Sequence, residues 1–155
     1  MRPEEELGRV LREKGKTLAV AESCTGGLVS DMITDVPRSS RYFLAGIVAY
    51  SNEAKVNLIG VRSSTLKSFG AVSEQTAIEM AQGVREVCGA DIGAAVTGIA
   101  GPGGGTPEKP VGLVHFALDL KGSIVVDHVL FRGDRTRVKD SSAKHLLRMI
   151  VKSLK

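Results

Sequence analysis

Apolar residues follow two different spacings along the chain, and each spacing predicts a different kind of element. Apolar positions that recur every three or four residues predict helices, with their caps included, over residues 3–14, 25–35, 51–60, 73–89 and 135–154. Short apolar runs between turn residues predict strands over residues 17–21, 44–50, 92–97, 112–120 and 123–131. Ser51 and Ser73 suit helix starts, and Gly15, Gly60 and Gly89 suit helix ends.

The order of these elements predicts how the strands pair. The first three strands alternate with helices, which favours parallel neighbours. Lys121-Gly122 suits a tight turn, so the last two strands are antiparallel to each other. If the loop after the third strand turns back, the fourth strand runs against the third. We therefore predict one α/β domain of three layers, α/β/α, with a mixed five-stranded sheet in which strand 4 is antiparallel to the rest; 155 residues suffice for it.

Composition narrows the class of protein. Hydrophobic residues make up 43% of the chain and charged residues 25%, as in ordinary globular domains. No apolar run reaches about 18 residues, so no membrane span is predicted. The start, residues 1–6, is acidic and lacks the apolar core of a signal peptide. Cys24 and Cys88 form no Cys-x-x-Cys pair, which favours reduced thiols and a cytoplasmic location.

Charge and histidine spacing bear on the kind of ligand. The net charge of +4 is compatible with a small anionic substrate. Aromatic residues are only 4% and Trp is absent, which disfavours nucleic acid as a partner. His115, His128 and His145 lack metal-ligand spacing, so we predict no metal. The predicted hairpin sets His115 opposite His128, and a simple cross-strand pair is favoured over a metal or proton-relay pair because no third ligand is visible.

Unusual residues collect where the parallel strands of the predicted sheet end. Strand 1 is followed by Ser23-Cys24-Thr25-Gly26-Gly27, strand 2 ends at Tyr50, strand 3 ends at Thr97 and opens a loop over residues 98–110, and strand 5 is followed by Gly133-Asp134-Arg135. Open α/β sheets bind ligands in the crevice at this edge, and helix amino termini there offer N–H groups to anions. We therefore expect the functional site around Ser23.

A nucleophile and a base are both available at this edge. A serine hydroxyl is a weak nucleophile until a neighbouring base takes its proton. No histidine lies near these segments except His145, deep in the last helix, so a Ser-His-Asp triad is not supported. Lys55 can act as the base if burial lowers its pKa, and Tyr50 can relay or orient the proton. Backbone N–H groups of residues 24–27 can stabilise an oxyanion.

The same residues also have purely structural interpretations. Ser23 and Thr25 can serve only as a helix cap, Tyr50 as a core aromatic and Lys55 as a surface lysine. The loop over residues 98–110 can be a flexible connector, although it is long for that role. Arg135 falls in a first helical turn, where the helix macrodipole disfavours a cation, and this favours a ligand or partner for it.

At these residues the chain resembles the CinA C-terminal domain family, the nicotinamide-nucleotide amidases also called PncC. The resemblance runs from about Leu18 to the last helix and is carried by ordered motifs: Ala21-Glu22-Ser23-Cys24-Thr25-Gly26-Gly27, Tyr50-Ser51-Asn52-Glu53-Ala54-Lys55, Gly70-Ala71-Val72-Ser73, Thr97-Gly98-Ile99-Ala100-Gly101-Pro102 with Lys109-Pro110-Val111-Gly112, and Gly133-Asp134-Arg135. The amino-terminal domain that often precedes this module is not in the sequence, so we expect the stand-alone form.

The resemblance implies hydrolysis of nicotinamide mononucleotide to nicotinic acid mononucleotide and ammonia, without a cofactor or metal. It implies Ser23 as nucleophile, Lys55 as base and Tyr50 as an assisting residue. The implied substrate-binding residues are Thr25, Gly26, Gly27, Thr97, Gly98, Gly101 and Arg135, with Arg137 and Lys139 as alternatives to Arg135 for the phosphate. It also implies a homo-oligomer, a dimer or larger.

Two other functions stay open from the sequence. The first is a nucleotide-binding or interaction module of the competence/damage-inducible CinA type without catalysis, since family membership does not guarantee turnover. The second is amidase action on a different pyridine or nucleotide amide.

Overall fold

A computed structural model describes residues 1–155 and contains five strands and six α-helices. The strands are β1 (Leu18–Glu22), β2 (Phe43–Val48), β3 (Ile92–Gly98), β4 (Leu113–Asp119) and β5 (Ile124–Leu130). The helices are α1 (Pro3–Lys14), α2 (Leu28–Thr34), α3 (Asn52–Ile59), α4 (Ser63–Phe69), α5 (Glu74–Cys88) and α6 (Arg135–Leu154). None of the helices is both long enough and apolar enough to cross a membrane.

The strands lie in the order β2-β1-β3-β4-β5. β1 is parallel to both β2 and β3, whereas β4 is antiparallel to β3 and β5. The predicted mixed sheet is therefore confirmed. Glu22 lies beside Val48 and Val96, so β1, β2 and β3 end at the same edge. His115 pairs with His128 across the hairpin, as the turn at Lys121-Gly122 predicts.

Helices cover both faces of the sheet, and each face has its own core. α1, α2 and α6 pack on one face around large side chains such as Leu7, Phe116 and Leu146. α5 packs on the other face against alanines of the strands, with the end of α3 beside it. Small residues let α5 approach closely: a Cβ on Gly93 would overlap the carbonyl oxygen of Ala81.

Helix caps explain why most helix ends were predictable. The hydroxyl of Ser51 accepts from the N–H of Ala54, and the hydroxyl of Ser73 accepts from the N–H of Thr76. Gly15, Gly60 and Gly89 adopt left-handed backbone conformations at the carboxyl ends of α1, α3 and α5, as the C-cap pattern requires (φ +64°, +69° and +64°).

Two helices differ from the sequence prediction. α2 begins at Leu28 rather than at residue 25, because Gly26 and Gly27 have φ values of +59° and +107°, which a right-handed helix excludes. α4 was not predicted at all. Its N-cap residue, Arg62, makes no side-chain cap, so the sequence carries no start signal there.

Substitution of Gly83 by Ala tests the contact between α5 and α3. A Cβ at this position would overlap the carbonyl oxygen of Ile59, a backbone atom that cannot rotate away. Overpacking costs about 1–3 kcal/mol, and the higher helix propensity of Ala returns about 1 kcal/mol. We expect Gly83→Ala to lower the free energy of unfolding by up to about 2 kcal/mol in urea titrations.

The matched control is Gln82→Ala, an exposed position on the same helix. It gains propensity without a clash, so its stability should equal or slightly exceed that of the wild type. A Gly83→Ala protein at least as stable as Gln82→Ala would show that α3 does not pack on α5 in this way.

Candidate active site

A cavity of about 290 Å³ lies at the edge where β1, β2 and β3 end. Its volume is at the lower end of the range for small-molecule sites, roughly 300–1,000 Å³. Seven of the residues predicted for the site line it: Ser23, Tyr50, Lys55, Thr97, Gly98, Gly101 and Arg135. Three others, Thr25, Gly26 and Gly27, do not line the cavity.

Ser23 and Lys55 meet at the cavity wall. Ser23 follows the last residue of β1, and Lys55 lies in the first turn and a half of α3. Lys55 Nζ lies 3.1 Å from Ser23 Oγ, and both residues are buried. The two atoms are within direct proton-transfer distance, so no intermediate group is needed between them.

The other contacts of Lys55 determine which way its amine faces. Nζ donates to the carbonyl oxygen of Ala49 at 3.0 Å and to that of Tyr50 at 3.1 Å. A neutral amine has two N–H groups and one lone pair, so when both carbonyls accept, the lone pair is directed at the Ser23 hydroxyl. Burial lowers the pKa of Lys55, which favours this neutral form.

Tyr50 contributes its backbone and its side chain to different contacts. Its carbonyl oxygen accepts from Lys55, while its hydroxyl accepts from Arg135 Nη2 at 3.2 Å. The side chain is largely exposed, at 59% of its accessible area. The phenol therefore lies at the cavity rim with Arg135 rather than between Ser23 and Lys55.

Arg135 has the partner that its unfavourable helix position suggested. It is the first residue of α6, and its Nη1 donates to the carbonyl oxygen of Gly101 at 2.6 Å. Asp134 caps the helix by accepting from the N–H of Arg137. Arg137 and Lys139 do not line the cavity, so Arg135 is the cation available at its rim.

Glu22 shapes the candidate site, although sequence reasoning gave it no role. Its carboxylate is fully buried and accepts five hydrogen bonds from the segment that follows Ser23. One oxygen accepts from the Thr25 hydroxyl (2.6 Å) and from the N–H groups of Gly27 and Val29 (3.1 and 3.0 Å). The other oxygen accepts from the N–H and hydroxyl of Ser30 (3.0 and 2.7 Å). This carboxylate satisfies the first N–H groups of α2 and fixes the turn that carries Ser23.

Two backbone N–H groups beside the nucleophile remain without a protein acceptor. Those of Cys24 and Thr25 make no hydrogen bond to another residue, whereas the N–H groups of Gly26 and Gly27 donate to Ser23 O and to the Glu22 carboxylate. Thr25 is fully buried and does not line the cavity, so of the four N–H groups predicted for an oxyanion only that of Cys24 is available to a ligand.

Cys24 is the other potential nucleophile at the cavity wall. Burial raises the pKa of its thiol to about 12, so at neutral pH it stays protonated. Lys55 makes its hydrogen bond to Ser23 and not to Cys24. Ser23 is therefore the better-activated group of the two.

Thr97 and the loop after β3 close the remaining side of the cavity. The Thr97 hydroxyl donates to the carbonyl oxygen of Ala71 at 2.9 Å, which connects β3 to the segment before α5.

The chain nowhere brings three side chains of His, Cys, Asp or Glu together as metal ligands.

Comparisons with known proteins agree over nearly the whole chain. The family model for the CinA C-terminal domain matches residues 2–154. A CinA-like protein of Kosmotoga olearia is 50% identical over 151 residues, which cover 97% of this chain and 37% of that protein. The chain spans little more than a third of the length of the curated relatives it matches.

Two solved structures share the fold throughout. The competence/damage inducible protein CihA from Agrobacterium tumefaciens has a TM-score of 0.93 and 40% identity, covering 98% of this chain and 94% of that one. A competence or damage-inducible protein from Enterobacter asburiae has a TM-score of 0.95 and 37% identity, covering 99% and 96%. Neither name states a reaction.

The substitution Glu22→Gln tests the carboxylate that fixes the turn. A Gln side chain keeps the shape but replaces one acceptor oxygen with an NH₂ group, which would face buried donors. Each buried group left unsatisfied costs about 1–3 kcal/mol, so we expect the free energy of unfolding to fall by about 2–3 kcal/mol in urea titrations.

Ser30→Ala is the matched control, because it removes one donor and leaves the carboxylate four hydrogen bonds. We expect it to cost about 1 kcal/mol. If Glu22→Gln were no more destabilising than Ser30→Ala, the carboxylate would not be what holds this turn.

Proposed function

The chain belongs to the CinA C-terminal domain family, and from this premise we propose that it hydrolyses the carboxamide of nicotinamide mononucleotide to nicotinic acid mononucleotide and ammonia. The observation that carries the proposal is the buried pair of Ser23 Oγ and Lys55 Nζ, 3.1 Å apart at the wall of a small-molecule cavity. A serine hydroxyl that is hydrogen-bonded to a neutral amine can act as the nucleophile in acyl transfer, because the amine can take its proton.

The first half of the reaction forms an ester. Lys55 takes the Ser23 proton as Oγ attacks the carboxamide carbon, and the carbonyl electron pair moves to oxygen. The N–H group of Cys24, which lines the cavity beside the nucleophile, would stabilise that oxyanion. Collapse of the intermediate breaks the C–N bond, Lys55 returns the proton to the leaving nitrogen, and ammonia departs from a nicotinoyl ester of Ser23.

The second half returns the enzyme to its starting state. Lys55 takes a proton from water, and the resulting hydroxide equivalent attacks the ester carbon. The bond between that carbon and Ser23 Oγ breaks, and the serine oxygen recovers the proton from Lys55. The product is the carboxylic acid, which ionises at neutral pH.

Arg135 supports the choice of a nucleotide over a simple amide. Its guanidinium lies at the cavity rim, and a guanidinium binds phosphate through paired N–H donors. Arg135 and Lys55 are the two charged residues that line the cavity, and Lys55 is committed to Ser23. We therefore assign the substrate phosphate to Arg135.

A second candidate is a nucleotide-binding module without turnover, of the competence/damage-inducible type. It is favoured by the names of the solved relatives, which describe a biological setting and not a reaction. In that case Arg135 would bind the ligand and the Ser23–Lys55 pair would be structural.

Ammonia release from nicotinamide mononucleotide separates the candidates. We expect Ser23→Ala and Lys55→Met each to lower kcat/KM by at least roughly 10³-fold, because each removes a group on which every bond-making step depends. Lys67→Met, an exposed lysine of α4 outside the cavity, should retain wild-type activity.

Each candidate function predicts a different result in these assays. Binding of the mononucleotide by calorimetry without ammonia release would favour the binding module. Release of ammonia from other pyridine amides, but not from the mononucleotide, would favour a different amide substrate. Near-normal activity in Ser23→Ala would eliminate the mechanism.

The pH dependence of kcat/KM tests the role of Lys55. The amine must be neutral to accept a proton, and burial holds its pKa below the ordinary lysine value of about 10.4. We expect kcat/KM to rise with pH along an acidic limb whose midpoint lies below that value, and to level off once the amine is neutral.

Ammonia release should be followed at several pH values with a substrate that does not itself titrate in the range. A rate that falls as pH rises through this limb would mean that the protonated amine is the active form, and Lys55 could not be the base.

A further inference from the structure

A second cavity lies at the opposite edge of the sheet from Ser23. It has a volume of about 280 Å³ and is lined by the end of α1 and by the residues that precede β1 and β2. Thr17 and Tyr42 stand directly before these two parallel strands, so the cavity lies at their amino ends. β1 has five residues, which separates the two sites by roughly 17 Å.

Three exposed cations line this cavity. Arg12, Lys16 and Arg41 all line it, and none forms an ion pair. The one carboxylate hydrogen-bonded to the cavity wall is Asp91, which accepts from the N–H and hydroxyl of Thr17. Asp91 is close enough to Lys16 for the lysine charge to lower the pKa of the carboxyl, so it offsets part of the positive charge. The three cations still outnumber this one carboxylate, and the excess positive charge favours an anion.

A buried hydroxyl in the same wall also lacks a partner. Tyr42 is only 2% exposed, and its hydroxyl makes no hydrogen bond. It lies near Arg12, since both groups pack against Gly8. A Cβ placed on Gly8 would be 2.5 Å from the Tyr42 hydroxyl and 3.4 Å from Arg12 Nη1. Burial raises the pKa of Tyr42, so the phenol stays protonated and can donate to an anion.

The helix macrodipole does not account for the whole arrangement. It explains a cation in the last turn of α1, where both Arg12 and Lys14 lie. It does not explain why Arg41, from the short helical turn before β2, lines the same cavity, nor why a buried hydroxyl there is left without an acceptor.

We propose that this cavity binds a compact phosphate-bearing anion, a phosphate monoester or a pyrophosphate group, through Arg12, Lys16, Arg41 and the Tyr42 hydroxyl. Two guanidinium groups provide paired donors for phosphate oxygens, the ammonium adds a point charge, and the phenol donates a neutral hydrogen bond. The volume suits a small ligand rather than a polymer.

The test uses the full chain labelled with ¹⁵N and titrated with inorganic pyrophosphate at constant ionic strength. We expect saturable amide shifts over residues 12–17 and 41–42. The double variant Arg12→Gln/Arg41→Gln should raise Kd by about tenfold or more, and Tyr42→Phe by about three- to tenfold. Lys14→Gln, an exposed cation of the same helix outside the cavity, should change Kd by less than about twofold.

Residue-level mapping keeps this proposal separate from the proposed activity. Shifts confined to residues around Ser23, or no saturable shift at residues 12–17, would overturn it whether or not the protein releases ammonia. An effect of Lys14→Gln as large as that of the double variant would mean diffuse attraction rather than a site. An unchanged Kd in Tyr42→Phe would show that the hydroxyl does not bind the anion, and this would overturn the proposal as stated.

Discussion

The amine of Lys55 is the group on which the geometry of the site depends. A buried amine that has lost its water must find polar partners within reach, and Lys55 finds three. These are the Ser23 hydroxyl after β1 and the carbonyl oxygens of Ala49 and Tyr50 after β2. Satisfying one buried group thus fixes the ends of two strands relative to each other, and the same contacts direct the lone pair of the neutral amine at the hydroxyl. One set of hydrogen bonds thus meets a stability requirement and gives the geometry that the proposed mechanism needs.

The turn after β1 solves a second problem of burial. The first N–H groups of α2 need acceptors, and no α-helix supplies them from its own residues. Glu22, the last residue of the preceding strand, supplies these acceptors. Its buried carboxylate is stabilised because it accepts five hydrogen bonds. Gly26 and Gly27 allow the chain to wrap around it because both adopt positive φ values. A buried carboxylate therefore fixes the turn that carries Ser23, and a buried amine hydrogen-bonds to the Ser23 hydroxyl.

Local signals explain what the sequence could predict. The five strands, the order of helices and the caps at Ser51 and Ser73 rest on spacing and short-range hydrogen bonds, which residue type reveals. The meeting of Ser23 with Lys55 followed from the alignment of parallel strand ends. The sequence did not predict the carbonyl partners of Lys55, because every residue has a carbonyl group and residue type does not show which one is near. It also did not predict the rim position of the Tyr50 phenol or the role of Glu22, because both depend on tertiary distances. α4 was not predicted because its N-cap residue makes no side-chain hydrogen bond, so the sequence has no local signal for its start.

The charges that line the cavity decide how a serine–lysine pair can work there. No carboxylate lines it, and its two charged residues are Lys55 and Arg135. A carboxylate beside Lys55 would hold the amine as ammonium, and an ammonium has no lone pair for the Ser23 proton. Carbonyl oxygens orient the amine without adding a full negative charge, so burial can still lower its pKa. The same lack of an acid leaves the guanidinium at the rim free of a competing ion pair, so an anionic ligand meets a cation that is held in place only by Gly101 and Tyr50. The absence of acidic side chains from the cavity wall thus favours the neutral form of Lys55 and leaves the positive charge of Arg135 available to an anionic ligand.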